Sequence, residues 1–167
     1  MKLDGILREL AVLLVKISAI VLGFVLLFTF LYGITSYREP YMSPAVKDGD
    51  LVIYYRYAKQ AYRHRDLVVV KTKGGKDVRR IVALAGDTVD ISSDGLIVNG
   101  ALQQEPDIRS PTERYQEGIG FPLTVPKGEV FLLADQRTNA MDGRIYGTVS
   151  LDSLAGKVMT VIRRRDF

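Results

Sequence analysis

The hydrophobic pattern divides the chain into one long apolar run near the N-terminus and a series of short segments after it. From residue 10 to about residue 34 almost every residue is apolar, and Lys16 is the one charged residue. This run exceeds the roughly 20 residues that a helix needs to cross the hydrocarbon core of a bilayer. Residues 32–38 are also a poor leader-peptide cleavage site. We therefore predict an uncleaved transmembrane helix.

The segments after the apolar run are rich in β-branched and aromatic residues, which favours strands. They begin near residues 50, 67, 77, 88, 96, 129 and 156. Asp94-Gly95 and Asn99-Gly100 supply the positive backbone φ that tight hairpins need. The pattern predicts a mainly β fold of antiparallel strands with one N-terminal transmembrane α-helix.

A polar segment at residues 103–121 interrupts this series. It carries two prolines and little periodicity, so we interpret residues 101–126, approximately, as an inserted loop or cap. Residues 1–36 are then the N-terminal segment and anchor, and residues 37–167 are the β-domain. Lys2, Arg8 and Lys16 precede or enter the span and Arg38 follows it, which weakly favours a cytoplasmic N-terminus.

Composition excludes several kinds of site. The 167 residues contain no cysteine, which excludes disulfides and thiolate nucleophiles, and the single His64 excludes a multi-histidine metal site. We expect neither a metal nor another cofactor. The net charge of +4 is mild, and the chain lacks both a basic helix and interleaved aromatic and basic residues. Nucleic acid is therefore not an expected partner.

Residues 40–50 read Pro-Tyr-Met-Ser-Pro-Ala-Val-Lys-Asp-Gly-Asp. This stretch resembles the nucleophile box of type I signal peptidases, Ser-Met-x-Pro-Thr followed by Gly-Asp, with Met42 and Pro44 in register. Residues 79–87 resemble the lysine box of that family, and residues 134–147 resemble its closing box. The chain is therefore similar to the S26 Ser/Lys peptidases, which are membrane-anchored enzymes that remove secretory leader peptides.

The resemblance implies a signal-peptidase-type β-domain on the outer face of the cell membrane, tethered by a single pass. It also identifies four departures at the family's reactive positions. Tyr41 stands where the family has its nucleophilic serine, and Arg79 stands where it has the general-base lysine. Ala140 replaces the serine that orients the lysine, and Glu39 replaces the hydroxyl that helps the oxyanion hole. The resemblance is therefore to a catalytically degenerate member.

The substitutions remove the chemistry of a Ser/Lys pair. An arginine stays protonated and offers donors only, so Arg79 cannot accept a proton. The phenol oxygen of Tyr41 lies several ångströms beyond the position of a serine oxygen, and Glu39 puts negative charge where an oxyanion develops. We expect no catalytic residue among these positions. We also expect the Tyr41 ring and the Arg79 guanidinium to stack or hydrogen-bond, with no lysine amine nearby.

Degenerate relatives occur beside pilin and sortase systems in Gram-positive bacteria, where they act as pilus-assembly chaperones. The resemblance thus implies a pseudoenzyme that binds or positions secreted polypeptides such as pilins, with membrane lipid and a sortase system as further partners. The expected substrate-binding residues are Tyr41, Met42, Ser43, Arg79 and Ile81. Asp142 and Arg144 are kept and match the structural ion pair of the family.

Two alternatives remain open. An active signal peptidase with displaced residues would use Ser43 as its nucleophile, with Lys47, Lys71 or a lysine of the 73–76 loop as its base. A structural membrane protein without a peptide-binding role is the other alternative.

The role of Met42 is also open, because its side chain is either an apolar contact within the domain or inserted into the membrane surface.

Overall fold

An N-terminal helix precedes a domain of antiparallel strands. The computed structural model describes residues 2–58, 61–108 and 110–164, with residues 2–4 described by their backbone alone. Helix α1 spans Lys2–Leu31, and every side chain from residue 5 to residue 30 is exposed. Its segment Gly5–Leu31 is long and apolar enough to cross a membrane, by length and composition. Residues near its C-terminal end, such as Phe28 and Phe30, contact the domain through the rings of Tyr32 and Tyr57.

Strand β1, Tyr32–Ser36, begins directly after α1 and pairs with β2, Leu51–Tyr55. The apolar run therefore changes from helix to strand at Leu31, although its composition stays apolar to about residue 34. The ring of Tyr32 stacks on Phe28 at 4.5 Å and packs against Tyr55 at 5.6 Å. Gly33 lies against the ring of Tyr54, where a Cβ atom would collide. Residues 32–36 thus belong to the sheet, and the division between anchor and domain after residue 36 stays a prediction.

The larger sheet has seven strands, in the spatial order β1-β2-β11-β3-β4-β9-β10. Its further members are β3 (Leu67–Thr72), β4 (Gly75–Leu84), β9 (Glu129–Leu133), β10 (Val149–Ser150) and β11 (Leu154–Ile162). The second sheet has the order β7-β6-β5-β8. It is made of β5 (Thr88–Ser92), β6 (Gly95–Val98), β7 (Ala101–Leu102) and β8 (Leu123–Thr124).

All the strand pairs are antiparallel. The predicted fold class, mainly antiparallel β-structure with one N-terminal apolar helix, is confirmed. The described residues between 103 and 122 form no helix or strand, and the only other α-helix in the described chain is the short α2, Gly143–Tyr146. Four strands were not anticipated: β1, β7, β8 and β10. Three of these are only two residues long, which is too short for a periodicity to be visible.

Buried side chains form three clusters around the larger sheet. One cluster lies between that sheet and the segment of residues 37–50, and it includes Tyr37, Met42, Val46, Tyr54 and Ala140. The second joins the two sheets through residues such as Val89 and Phe131. The third surrounds Val68, Ile81 and Leu132. The first cluster fixes the 37–50 segment against the sheet, and that placement determines where Tyr41 lies.

Candidate functional site

A cleft of about 530 Å³ lies where the 37–50 segment crosses the larger sheet. This volume is within the range of ligand-binding pockets. Four parts of the chain contribute side chains to its lining: the 37–50 segment, β3, β4, and residues 141–153. The lining residues are Glu39 and Tyr41; Val70, Lys71 and Thr72; Asp77 and Arg79; and Met141, Tyr146, Val149 and Ser153.

Arg79 occupies the inner part of this cleft and is bound tightly there. Its side chain is 5% exposed, and its Nη1 atom lies 2.7 Å from Oδ1 of Asp77, which is 18% exposed. Nη1 also donates to the carbonyl of Val78 at 2.7 Å, and Nη2 donates to the carbonyl of Met141 at 3.1 Å. These bonds hold the guanidinium in one orientation and neutralise its charge within the cleft.

Electrostatics keep Arg79 protonated. Burial alone lowers the pKa of the guanidinium. The negative charge of Asp77, with smaller contributions from neighbouring acidic groups, has the opposite and larger effect. The pKa of Arg79 is therefore raised above its ordinary value. Burial raises the pKa of Asp77, and Arg79 opposes that change. A guanidinium in this state donates hydrogen bonds and accepts none. Arg79 therefore cannot remove a proton from a nucleophile.

The strand register explains why Asp77 and Arg79 meet. On β4 they are two residues apart, and side chains at that spacing project from the same face of a strand. Asp77 lies opposite Val70 of β3, and Arg79 lies opposite Val68. The pair is thus a consequence of local sequence in one strand, because no turn or distant contact is needed to bring the two side chains together.

The 37–50 segment places Tyr41 at the other side of the cleft. Backbone hydrogen bonds from Tyr37 to Asp50 and from Gly49 to Tyr37 close its two ends, each at 2.9 Å. The carbonyl of Tyr41 itself accepts from the backbone N–H of Gln136 at 2.7 Å. The half-buried Tyr41 ring packs against the first buried cluster and faces the cleft.

Tyr41 and Arg79 line the same cleft but do not bind each other. Among the described residues, the hydrogen bonds of Arg79 go to Asp77, Val78 and Met141, and its guanidinium does not lie over the Tyr41 ring. The expected hydrogen bond or stacking between the two side chains is therefore wrong, because Asp77 takes the guanidinium instead. A lysine is also present: Lys71 of β3 lines the cleft, contrary to the expectation that no amine lies nearby.

Tyr146 is a second phenol beside Arg79. Burial raises the pKa of Tyr146 to about 12; Asp142 and Asp77 add to the increase, and Arg79 opposes it. The phenol is therefore protonated at physiological pH. It provides a hydroxyl for hydrogen bonding at the wall of the cleft and does not act as a base or as a phenolate nucleophile there.

Three of the sequence-derived positions lie in the core and not at the cleft. Met42, Ile81 and Ala140 have no exposed surface. The sulfur of Met42 accepts from the backbone N–H of Asp135 at 3.4 Å, inside the domain. A completely buried side chain does not reach the membrane surface, so the interpretation of Met42 as an apolar contact is correct and the membrane alternative is wrong. Met42 and Ile81 act on the cleft only by supporting its walls.

Ser43 lies in the turn after Met42, half-buried, and it does not line the cleft. Of the lysines considered as its base, only Lys71 lines the cleft, and the aliphatic hydroxyls that share the cleft are those of Thr72 and Ser153. Within the described chain neither hydroxyl forms a hydrogen bond with Lys71. The geometry thus brings no serine and lysine into a bonded pair.

Asp142 and Arg144 form a buried ion pair beneath the cleft. Oδ1 of Asp142 lies 2.9 Å from Nε of Arg144, and their side chains are 0% and 2% exposed. Asp142 also caps α2 by accepting from the backbone N–H of Arg144 at 3.1 Å. Arg144 reaches further, to the carbonyl of Glu113 and the hydroxyl of Tyr115. The pair therefore fastens the 113–115 segment to α2.

Several residues that determine the charge and the hydrogen-bonding groups of the cleft were not identified from the sequence. Asp77, Met141 and Tyr146 line it and none of them was predicted, and Lys71, which also lines it, was considered only as a base for Ser43. Asp77 carried a usable signal, because a carboxylate two positions before an arginine in a predicted strand lies on the same face. No local sequence pattern marks Lys71, Met141 and Tyr146 as cleft residues, because they meet Arg79 only through tertiary contacts.

Comparison with known proteins gives a consistent result. The model of the family described as "Signal peptidase, peptidase S26" matches residues 7–162. Signal peptidase I from Bacillus licheniformis is 31% identical over 123 residues, covering 64% of this chain and 66% of that relative, just under two thirds of its length. Signal peptidase IB from Staphylococcus aureus is 28% identical over 167 aligned positions, covering 87% of each protein.

One solved structure is also similar. A crystal structure of a signal peptidase I from Enterococcus faecalis V583 aligns with a TM-score of 0.49 and 26% sequence identity, covering 60% of this chain and 98% of that chain.

Proposed function

This chain belongs to the signal peptidase S26 family, and we propose that it is a membrane-anchored, non-cleaving member whose cleft binds and positions an extended secreted polypeptide. The positions that the resemblance assigns to the nucleophile and the general base hold Tyr41 and Arg79. Both line one cleft, next to the 37–50 segment and the end of β3. The polypeptide is held there and released intact.

The observation that carries this proposal is the ion pair between Arg79 and Asp77. A general base must be able to lose its proton near the working pH, and loss of such a base typically costs about 10²- to 10⁴-fold in rate. Arg79 is paired at 2.7 Å with Asp77 and bonded to two carbonyls, and these contacts favour its charged form and outweigh the opposing effect of burial. The proton acceptor is thus absent from the position that the resemblance assigns to it.

Exposed backbone beside the cleft supports polypeptide binding. Lys71 and Thr72 pair with β4 on one side, whereas the pairing of β3 with β11 ends at Val70. Residues 38–40 are exposed, and the backbone groups of Arg38 and Glu39 form no backbone hydrogen bond with any described residue. A chain that enters as a strand can pair with such free edges without any nucleophile. Cleavage and binding are therefore separable in this fold.

The proposed clients are secreted polypeptides such as pilins, in a Gram-positive cell envelope. The support is the resemblance to degenerate pilus-assembly relatives, together with an N-terminal helix that suits a membrane anchor. We place the N-terminus in the cytoplasm and the β-domain outside, where membrane lipid and a sortase are neighbouring partners. In this position the protein acts as a chaperone that presents a pilin for assembly.

The test uses the full chain in lipid nanodiscs and a fluorescently labelled synthetic peptide that spans the leader junction of a pilin precursor. We expect saturable binding by fluorescence anisotropy and no shortened peptide by mass spectrometry. Truncating an aromatic contact in an interface typically weakens binding by about fivefold or more. We therefore expect this loss for Tyr41→Ala, and no change for Tyr57→Ala, whose exposed side chain packs against Phe30 away from the cleft.

Cleavage is the outcome that contradicts the proposal. The two relatives described above are named signal peptidases, and Lys71 lines the cleft together with the aliphatic hydroxyls of Thr72 and Ser153. Turnover that disappears in Ser43→Ala, Ser153→Ala or Lys71→Met would establish an active peptidase with displaced residues. Failure of the peptide to bind at any concentration tested would instead favour a structural membrane protein.

A further inference from the structure

A second groove adjoins the cleft and shares one residue with it. This groove, of about 610 Å³, is lined by Arg114, Tyr115, Gln116, Glu117, Met141 and Ile145. Met141 also lines the cleft, and its side chain is 65% exposed. The two cavities thus lie on either side of a single exposed side chain. We call the second one the Tyr115 groove.

The short helix α2 separates the two cavities. Its residues Ile145 and Tyr146 are neighbours in sequence, yet Ile145 lines the Tyr115 groove and Tyr146 lines the cleft. A ridge made of Met141 and α2 therefore has a binding cavity on each side. A polypeptide that leaves the cleft past Met141 enters the Tyr115 groove directly.

The outer wall of the Tyr115 groove is held in place by buried arginine contacts. Arg144, which is 2% exposed, donates to the Glu113 carbonyl at 3.2 Å and to the Tyr115 hydroxyl at 3.3 Å. The guanidinium of Arg144 also lies over the Tyr115 ring at 4.5 Å. Gly118 approaches the carbonyl of Arg144 so closely that a Cβ atom would collide with it. The wall is therefore preformed, which lowers the entropic cost of binding.

Charge in the groove indicates what it accepts. Arg114 is already occupied, because it donates to the Ile91 carbonyl and forms an ion pair with Asp90. Glu117 is exposed and pairs with no described residue. Tyr115, Met141 and Ile145 supply apolar surface next to this carboxylate. The groove is complementary to an extended segment that carries an apolar side chain and a nearby lysine or arginine.

We propose that the polypeptide site extends from the cleft across Met141 into the Tyr115 groove, which binds the continuation of the same extended polypeptide and favours a basic residue opposite Glu117. This inference rests on the proposed function, since it requires a polypeptide in the cleft. It adds a specificity region formed by residues 114–117. These residues belong to the stretch between 103 and 122 whose described residues form no helix or strand. The groove contributes to affinity and to the choice of client.

Photo-crosslinking of the full chain in nanodiscs tests the proposal. The residue p-benzoylphenylalanine replaces Thr72 in the cleft, Gln116 in the Tyr115 groove, or Lys127, which lines neither cavity. The probes are two pilin-precursor peptides, one of about 5 residues and one of about 14, because an extended residue advances roughly 3.3 Å. We expect crosslinks at position 72 with both peptides, at position 116 with the long peptide only, and at position 127 with neither.

The outcomes separate this inference from the proposed function. Crosslinks from the long peptide at position 72 but not at position 116 would overturn the groove and leave the cleft proposal intact. Absence of crosslinks at both positions would overturn both proposals.

A charge reversal provides a second measurement. Glu117→Lys should weaken the binding of a long peptide that carries a basic residue by about threefold, as for an exposed ion pair. The same change at Asp94, an exposed turn residue outside both the groove and the cleft, should have no effect.

Discussion

Asp77 and Arg79 are two residues apart on one strand, and they form an ion pair of 2.7 Å inside the cleft where the family resemblance expects a lysine to lose its proton. The pair makes Arg79 part of the cleft wall and supplies the charge that a buried guanidinium needs. It also places a carboxylate beside the position that the resemblance assigns to the general base.

The first prediction concerns the stability that this pair provides. Arg79→Ala leaves the carboxylate of Asp77 without its partner, and breaking such a pair on one side costs about 3 kcal/mol in the free energy of unfolding. We expect a similar loss for Asp77→Ala. The double variant should lose less stability than the sum of the two single losses, because the pair interaction is removed only once. Chemical denaturation of the full chain in detergent measures these values. Fully additive losses would show that the two side chains do not stabilise each other.

The second prediction concerns restoration of the Ser/Lys pair. The variant Tyr41→Ser/Arg79→Lys should cleave a leader peptide poorly or not at all, because Asp77 keeps a lysine at position 79 charged. An opposite charge at this distance moves a pKa by about 1 to 3 units, so adding Asp77→Asn should raise the cleavage rate by about ten- to a thousandfold. Mass spectrometry of the products measures the rates. The control adds Asp77→Glu, which keeps the charge and should give no increase.

The third prediction compares a buried arginine with an exposed one. Arg144→Ala removes the partner of the fully buried Asp142, and the free energy of unfolding should fall by about 3–5 kcal/mol. Arg114→Ala removes an ion pair with Asp90 in which the arginine side chain is 48% exposed, and its effect should be about 1 kcal/mol or less. Thermal denaturation of both variants tests the ranking. Equal losses would mean that Arg144 does not organise the segment beneath the cleft.

The fourth prediction concerns acid pH and the carboxylate of Asp87. Burial alone raises its pKa, but hydrogen bonds from Asn99, the Leu84 backbone and His64 outweigh burial, and the pKa is lowered. A lowered folded-state pKa stabilises the fold above the unfolded pKa, near 4, and this contribution is lost as pH falls through the folded value. Denaturation between pH 7 and pH 3 should therefore show a smaller acid-dependent loss for Asp87→Asn than for the unsubstituted protein. Asp94→Asn, at an exposed turn, should retain the full loss.

The strands longer than three residues in the β-domain were predictable because hydrophobic patterning and turn residues act locally. β1 was the exception, since Tyr32–Ser36 continues the apolar composition of α1 and becomes a strand only through its pairing with β2. The cleft was predictable to the extent that Tyr41 and Arg79 share it. Its other members, Lys71 and Met141, come from separate elements, and no local pattern marks them. Met42 was ambiguous for the same reason, because burial is a tertiary property.

Strand β1 starts at the residue after the last residue of α1, so no flexible tether separates the anchor from the domain. Tyr41 is ten positions after Leu31, and a chain of that length spans at most about 35 Å. In the proposed membrane orientation, the cleft is therefore confined to a fixed, short height above the bilayer surface. The proposed function then requires that a client still embedded in the membrane expose its recognised segment close to the point where it leaves the bilayer.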